Sequence, residues 1–209
     1  MERGIRNLLI VGSAYVAAQM LADITSLRII VIGGSAVDAG TLIYPFTFTL
    51  RDLIQKVAGK SAARTLIVLA AVINLLMAGL FWLVARWPAD PVTGPQEGFA
   101  EVLAPLWGIV IASIVAEVVS ELLDTEVYSR WVARFGGRLQ WGRVLASNSI
   151  AVPIDSAIFV GLATGFGVFS ADIAWSIFLV NVVIKGLVTV ISIPWIYLVK
   201  PTPLPTTSP

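Results

Sequence analysis

Two polar residues stand inside an apolar run that extends from about Gly142 to Phe166: Asn148 and Asp155, in the stretch SNSIAVPIDSAIF. They are seven positions apart, which is two helical turns, so both fall on one helix face. An Asp at the centre of a spanning helix costs roughly 3 kcal/mol, and the face carrying it is expected to turn inward, toward a partner or an aqueous cavity. Pro153, between the two, removes a backbone donor and predicts a kink that leaves a carbonyl free to line that cavity. Lys185, in the last apolar run, is the natural counterion of Asp155, because neither charge is tolerable alone in a low dielectric. Such a pair either glues helices together or holds a polar ligand within the lipid slab. Other chemistry is excluded by composition. The chain has no His and no Cys, so disulfides, thiol catalysis and Cys/His metal sites are absent, and any proton relay must run on carboxylates. No phosphate-binding loop occurs, which excludes direct use of ATP by this chain. Asp52 and Glu117 could in principle form an acid–base pair. No nucleophile-and-base arrangement or metal-ligand cluster accompanies them, so neither an enzyme nor a cofactor is expected.

The elements that must position these residues are membrane spans. Apolar residues make up 57% of the 209, charged residues 13%, and the mean hydropathy is +0.89, the composition of a polytopic membrane protein. Six spans are predicted, at about Ile5–Asp23, Gly40–Ala58, Ser61–Trp87, Val102–Leu123, Gly142–Phe166 and Ala171–Val199. The fold class is thus an all-α integral membrane bundle of six helices. The first run follows Glu2, Arg3 and Arg6 as a leader would, but five further spans come after it, so it reads as a span. The segment ITSLRIIVIGGSAVDAG after span one is too short to cross and is expected at the interface. The pattern after span four, DTEVYSRWVARF, continues helical, with Trp131 and Phe135 spaced to lie along the interface. Residues 1–200 form one transmembrane domain, and the proline-rich tail 201–209 is expected to be disordered.

Orientation follows from the cations. Arg3, Arg6, Lys56, Lys60, Arg64, Arg130, Arg134, Arg138, Arg143 and Lys200 lie at the N-terminus, the second and fourth connections or the C-terminus. Arg28 and Arg86 lie on the other side, and Arg51 and Lys185 fall within spans. The positive-inside rule then puts both termini in the cytoplasm, as an even number of spans requires. Counting inward at about 1.5 Å per residue sorts the polar residues into two layers. Asp52, Glu117 and Asn148 sit roughly 9 Å deep, with Arg51 beside them as the compensating charge. Asn74, Asp155, Lys185 and Gln19 sit close to 20 Å deep, past the middle of a core of about 30 Å. The deeper layer has the make-up of a binding site, and Phe159, one turn above Asp155, could offer a face for stacking. Small-xxx-small pairs, Gly161 with Gly165 and Ala14 with Ala18, predict close helix packing.

The runs PFTFTLRDLIQKVAGKSAAR (Pro45–Arg64), ELLDTEVYSR (Glu121–Arg130) and SNSIAVPIDSAIF, followed by a Lys in the last span and then a proline, together resemble the VUT family of queuosine precursor transporters. The likeness covers most of the chain in the same order. It implies an inner-membrane, multi-pass carrier that brings 7-cyano-7-deazaguanine, and its 7-aminomethyl relative, into a bacterial cytoplasm for queuosine synthesis in transfer RNA. The positions it carries over are Asp52, Asp124, Asn148, Asp155 and Lys185. One departure is Ser120–Glu121, where some members have Gly-Gln. With the residues read from depth, the expected substrate-binding set is Asn148, Asp155, Lys185, Asn74, Asp52, Glu117, Phe159 and Gln19. The expected partners are the deazaguanine base and membrane lipid, with a homodimer admitted and no nucleic acid. The alternative is the substrate-capturing subunit of an energy-coupling-factor importer, for which Ala14 and Ala18 offer a surface a scaffold helix could dock on.

Overall fold

In the computed structural model the described residues are 2–94, 96–135 and 140–198; within them some side chains, including those of Asp52 and Glu121, lie outside the description. Helix α1 spans Glu2–Ser26. A two-stranded ribbon follows, β1 (Ile29–Ile32) and β2 (Ser35–Asp38), antiparallel with Ile29 opposite Asp38 and Ile32 opposite Ser35. Branched residues favour the strands. The turn needs positive φ at both central positions, supplied by Gly33 (φ 58°) and Gly34 (φ 82°). A 3₁₀ turn, Ala39–Leu42, is capped by the Asp38 carboxylate, which accepts from the Thr41 backbone N–H at 3.0 Å.

This ribbon is a small β element in an otherwise helical membrane protein, and its second strand packs on the bundle. Val37 and Asp38 are buried, the β2 strand and the 3₁₀ turn pack against α6 and α1, and the Ala36 carbonyl accepts from Ser176 Oγ at 3.2 Å. The segment folds back into the bundle.

Helix α2 is assigned over Tyr44–Val84 with a break at Gly59 (φ 85°, ψ 172°), a backbone that L side chains rarely adopt. The predicted second and third spans are its two halves. A short helix, α3 (Glu97–Leu103), precedes α4 (Leu106–Phe135). As expected, α4 continues past the apolar stretch, and there Arg130 pairs with Glu126 one turn away at 2.7 Å, both exposed. Helix α5 (Gln140–Gly165) is continuous through Pro153, and α6 (Ala171–Leu198) contains Pro194. The tail 201–209 lies outside the described residues.

Among the described residues, five segments are long and apolar enough to cross a membrane, where six were expected: Ile5–Ser26, Ser61–Val84, Glu97–Ser120, Val144–Gly165 and Ala171–Ile191. Helix α4 packs against α5, α5 against α6, and α1 against α2. One core forms around Leu106, Ile109, Val110, Phe159, Phe169 and Ile177, and a second around Tyr15, Ile54, Ala63 and Ile67. The opposite faces expose Leu75, Leu76, Leu187 and Ile191, as a surface solvated by lipid tails would. Gly161 and Gly165 also face outward, with no neighbour where a Cβ would stand, so the close packing expected of them does not occur within this chain.

Candidate functional site

Asp155 on α5 and Lys185 on α6 meet. Lys185 Nζ donates to Asp155 Oδ2 at 2.6 Å, with the two residues 3% and 0% exposed. Ser120 of α4 donates its hydroxyl to Asp155 Oδ1 at 3.2 Å. The ammonium also stands 4.5 Å from the centre of the Tyr44 ring and 6.0 Å from that of Phe159, where ring faces attract a cation. Phe159 is fixed edge-on by Phe169, centroids 5.8 Å apart. Burial requires every such charge to be matched, and here three helices and two rings do so.

The same cavity is walled on its other sides by α1 and the ribbon. Asp23 of α1 accepts at Oδ1 from Ser113 at 2.8 Å, while its Oδ2 has no hydrogen-bond partner among the described residues. Asp38 accepts from Ser26 Oγ (2.9 Å), Thr41 N–H (3.0 Å) and Thr41 Oγ1 (2.6 Å). Thr41 also touches Asn181 Oδ1 of α6, and Asn181 Nδ2 has no partner among the described residues. Asp23, Asp38, Thr41, Tyr44, Asp155, Phe159, Asn181 and Lys185 are among the residues lining the cavity, whose volume is about 10 Å³, room for about one water.

A second polar group lies next to the first. Gln19 and Tyr15 of α1 both donate to Glu117 Oε1 of α4, at 2.9 and 2.5 Å, and Gln19 Nε2 also reaches the Tyr15 hydroxyl at 3.0 Å. Ser120 joins the two groups, sitting one turn from Glu117 and on Asp155. Arg51 approaches Asp124 at 3.9 Å.

Of the expected set, the structure brings together Asp155, Lys185 and Phe159, and separately Glu117 with Gln19. Depth counting put Gln19 level with Asp155; the side chain instead pairs with Glu117. Asn148 shares the Asp155 face, but its amide donates to the Val144 carbonyl of its own helix at 2.9 Å, the local bond that polar residues make when no partner is at hand. Asn74 is buried at 4% exposure with Oδ1 unpartnered, away from the cavity lining. The Asp52 side chain lies outside the described residues. Asp23, Asp38, Thr41, Tyr44 and Asn181 were missed by sequence reasoning. Asn181 stands four residues from Lys185 in an apolar run, a helical spacing that could have found it.

Comparison with known proteins adds the family. The family model described as "Putative vitamin uptake transporter" matches residues 38–199. A Bacillus subtilis (strain 168) protein named "Probable queuosine precursor transporter" is 25% identical over 186 residues, covering 88% of this chain and 80% of that protein. No solved structure matches. The matched region begins at Asp38 and takes in Asp155 and Lys185, while the α1 wall of the cavity, with Asp23 and Ser26, precedes it; the chain belongs to this family of multi-pass membrane transporters for vitamin uptake.

Proposed function

We propose that the chain imports a queuosine precursor, 7-cyano-7-deazaguanine or its 7-aminomethyl relative, into the bacterial cytoplasm, and that the cavity at Asp155 and Lys185 is its substrate site. The observation that carries this reading is the 2.6 Å pair of Asp155 and Lys185, buried between two helices beside the Tyr44 and Phe159 rings. A guanine-like edge presents two adjacent N–H donors and one carbonyl acceptor, so Asp155 takes the donors while Lys185 reaches the carbonyl. Tyr44 and Phe159 supply ring faces. A cavity of about 10 Å³ is too small for a fused bicyclic ring, so binding requires the pair to separate as helices or ribbon move apart, and the closed form is the one between openings. Asn148, Asn74, Asp52, Glu117 and Gln19 are proposed, from their sequence positions, as further substrate contacts. Both termini face the cytoplasm of the inner membrane in this reading, and the run at about Gly40–Ala58 is the sixth crossing. Uptake assays on Asp155→Asn and Asp155→Ala test the site: wild-type transport by both removes Asp155 from it. Lys185→Ala is expected to reduce uptake more than Lys200→Ala.

A second reading is the substrate-capturing subunit of an energy-coupling-factor importer. Ala14 on α1 is exposed, one turn from the partly exposed Ala18, and this small-residue surface would suit a scaffold helix. Uptake by this chain alone, in a host without such a scaffold, decides against it.

A further inference from the structure

We propose that Asp23 receives the cationic group of the ligand, so that the cavity selects an ammonium-bearing 7-deazaguanine over a neutral one. This rests on the cavity being the substrate site. The lining carries three carboxylates, Asp23, Asp38 and Asp155, and a single ammonium, Lys185, among the described residues. Asp155 is matched by Lys185, and Asp38 by three hydrogen-bond donors. Asp23 is matched by Ser113 alone: it is 1% exposed, and Oδ2 is left without a partner. A buried carboxylate oxygen with nothing bonded to it is costly unless a cation or a proton meets it. On the far wall Thr41 has one hydroxyl proton for two acceptors, Asp38 and Asn181, and Asn181 Nδ2 donates to nothing. The cavity therefore holds an unspent acceptor and an unspent donor, both on side chains that are almost fully buried. Its volume of about 10 Å³ is that of a water, and a primary ammonium head is of similar size. An aminomethyl substituent protonated at neutral pH supplies the missing partner. A cyano group, which has no hydrogen to donate, does not.

The test is a pair of binding titrations, 7-aminomethyl-7-deazaguanine and 7-cyano-7-deazaguanine, on the purified full chain and on Asp23→Asn. Asn keeps an acceptor for Ser113 and removes the charge. The readout is the ratio of the two affinities, which does not depend on the fraction of a preparation that is folded. The wild-type chain is expected to favour the aminomethyl base, and Asp23→Asn to lower that ratio by about tenfold or more, the loss of one charge-assisted hydrogen bond. Asp23→Glu, which restores the charge, is expected to recover part of the preference. A wild-type preference for the cyano base, or a ratio unmoved by Asp23→Asn, overturns the proposal and leaves Asp23 to a proton or an inorganic cation. Failure of both bases to bind the wild-type chain counts instead against the substrate reading itself.

Discussion

Replacing Lys185 by Met keeps most of the side-chain volume and removes the charge. Asp155 then loses its donor at 2.6 Å and retains the Ser120 hydroxyl at 3.2 Å. One modest hydrogen bond does not offset the burial of a carboxylate that is 0% exposed, and breaking a buried pair by removing one partner costs about 3–5 kcal/mol. Asp155→Asn leaves the Lys185 ammonium facing the Tyr44 ring at 4.5 Å with no counter-charge, and a similar loss is expected. The double variant removes both charges together. Its loss is expected to be no greater than that of either single change, a coupling of about 3 kcal/mol or more between the positions. The assay is reversible unfolding in mixed micelles on all four proteins, with uptake measured in parallel. Uptake is expected to be lost in every variant, including the stable double, because stability is recovered there and the ligand-binding charges are not. Single losses below about 1 kcal/mol that simply add would show a hydrated pair of the surface kind, and would refute the closed, dry cavity. A double variant that is stable and transports normally would show that the pair only joins helices.

Three further outcomes follow from the packing. A Cβ on Gly40 would overlap the Ala22 carbonyl oxygen and Ser26 Oγ, so Gly40→Ala is expected to cost about 1–3 kcal/mol and to reduce uptake by pushing the ribbon off α1; a fully active, equally stable variant would show that this approach is not needed. Tyr15→Phe removes the 2.5 Å bond to Glu117 and is expected to cost about 1.5–3 kcal/mol in the same unfolding assay, with a loss near zero indicating that water replaces the hydroxyl. Asp90, in the loop after α2, accepts from the Thr93 backbone N–H and then its hydroxyl, both at 2.8 Å, which holds its carboxyl below the ordinary value. A depressed carboxylate contributes stability above its unfolded value and loses it as pH falls through its folded value; Thr93→Val is expected to move the Asp90 titration upward, as followed by carboxyl NMR.

What the sequence makes legible is what burial in lipid forces. Asp155 and Lys185 each sit in a run with no other reason for a charge, and their meeting follows from the cost of leaving either alone. The extension of α4 to Phe135 and the limits of α6 also read directly from pattern. Asp23 and Asp38 were not legible, because each stands at the end of an apolar stretch where a charge is ordinarily solvated. They are buried through a long-range event: β2 and the turn after it dock on α6, and Thr41 meets a residue 140 positions away. Nothing local in IIVIGGSAVD distinguishes a ribbon lying at the interface from one inserted into a bundle. Gln19 was misplaced for a related reason. Depth counted along straight helices ignores tilt and side-chain reach, so a residue counted to one level can pair with a carboxylate counted to the other. Asn148 was placed on the correct face, but a face does not say whether a side chain reaches across or folds back on its own backbone.

The ribbon also sets an order of assembly. Asp38 and Thr41 follow the first helix in the chain, yet Asn181 and Lys185, on which the cavity closes, belong to the final helix. During synthesis every earlier segment can enter the bilayer while these groups still lack their mates, so the site comes into being only once the ribosome has released α6. Truncation of that helix therefore removes the closing wall of the chamber as well as one span, and leaves Asp155 without its ammonium partner.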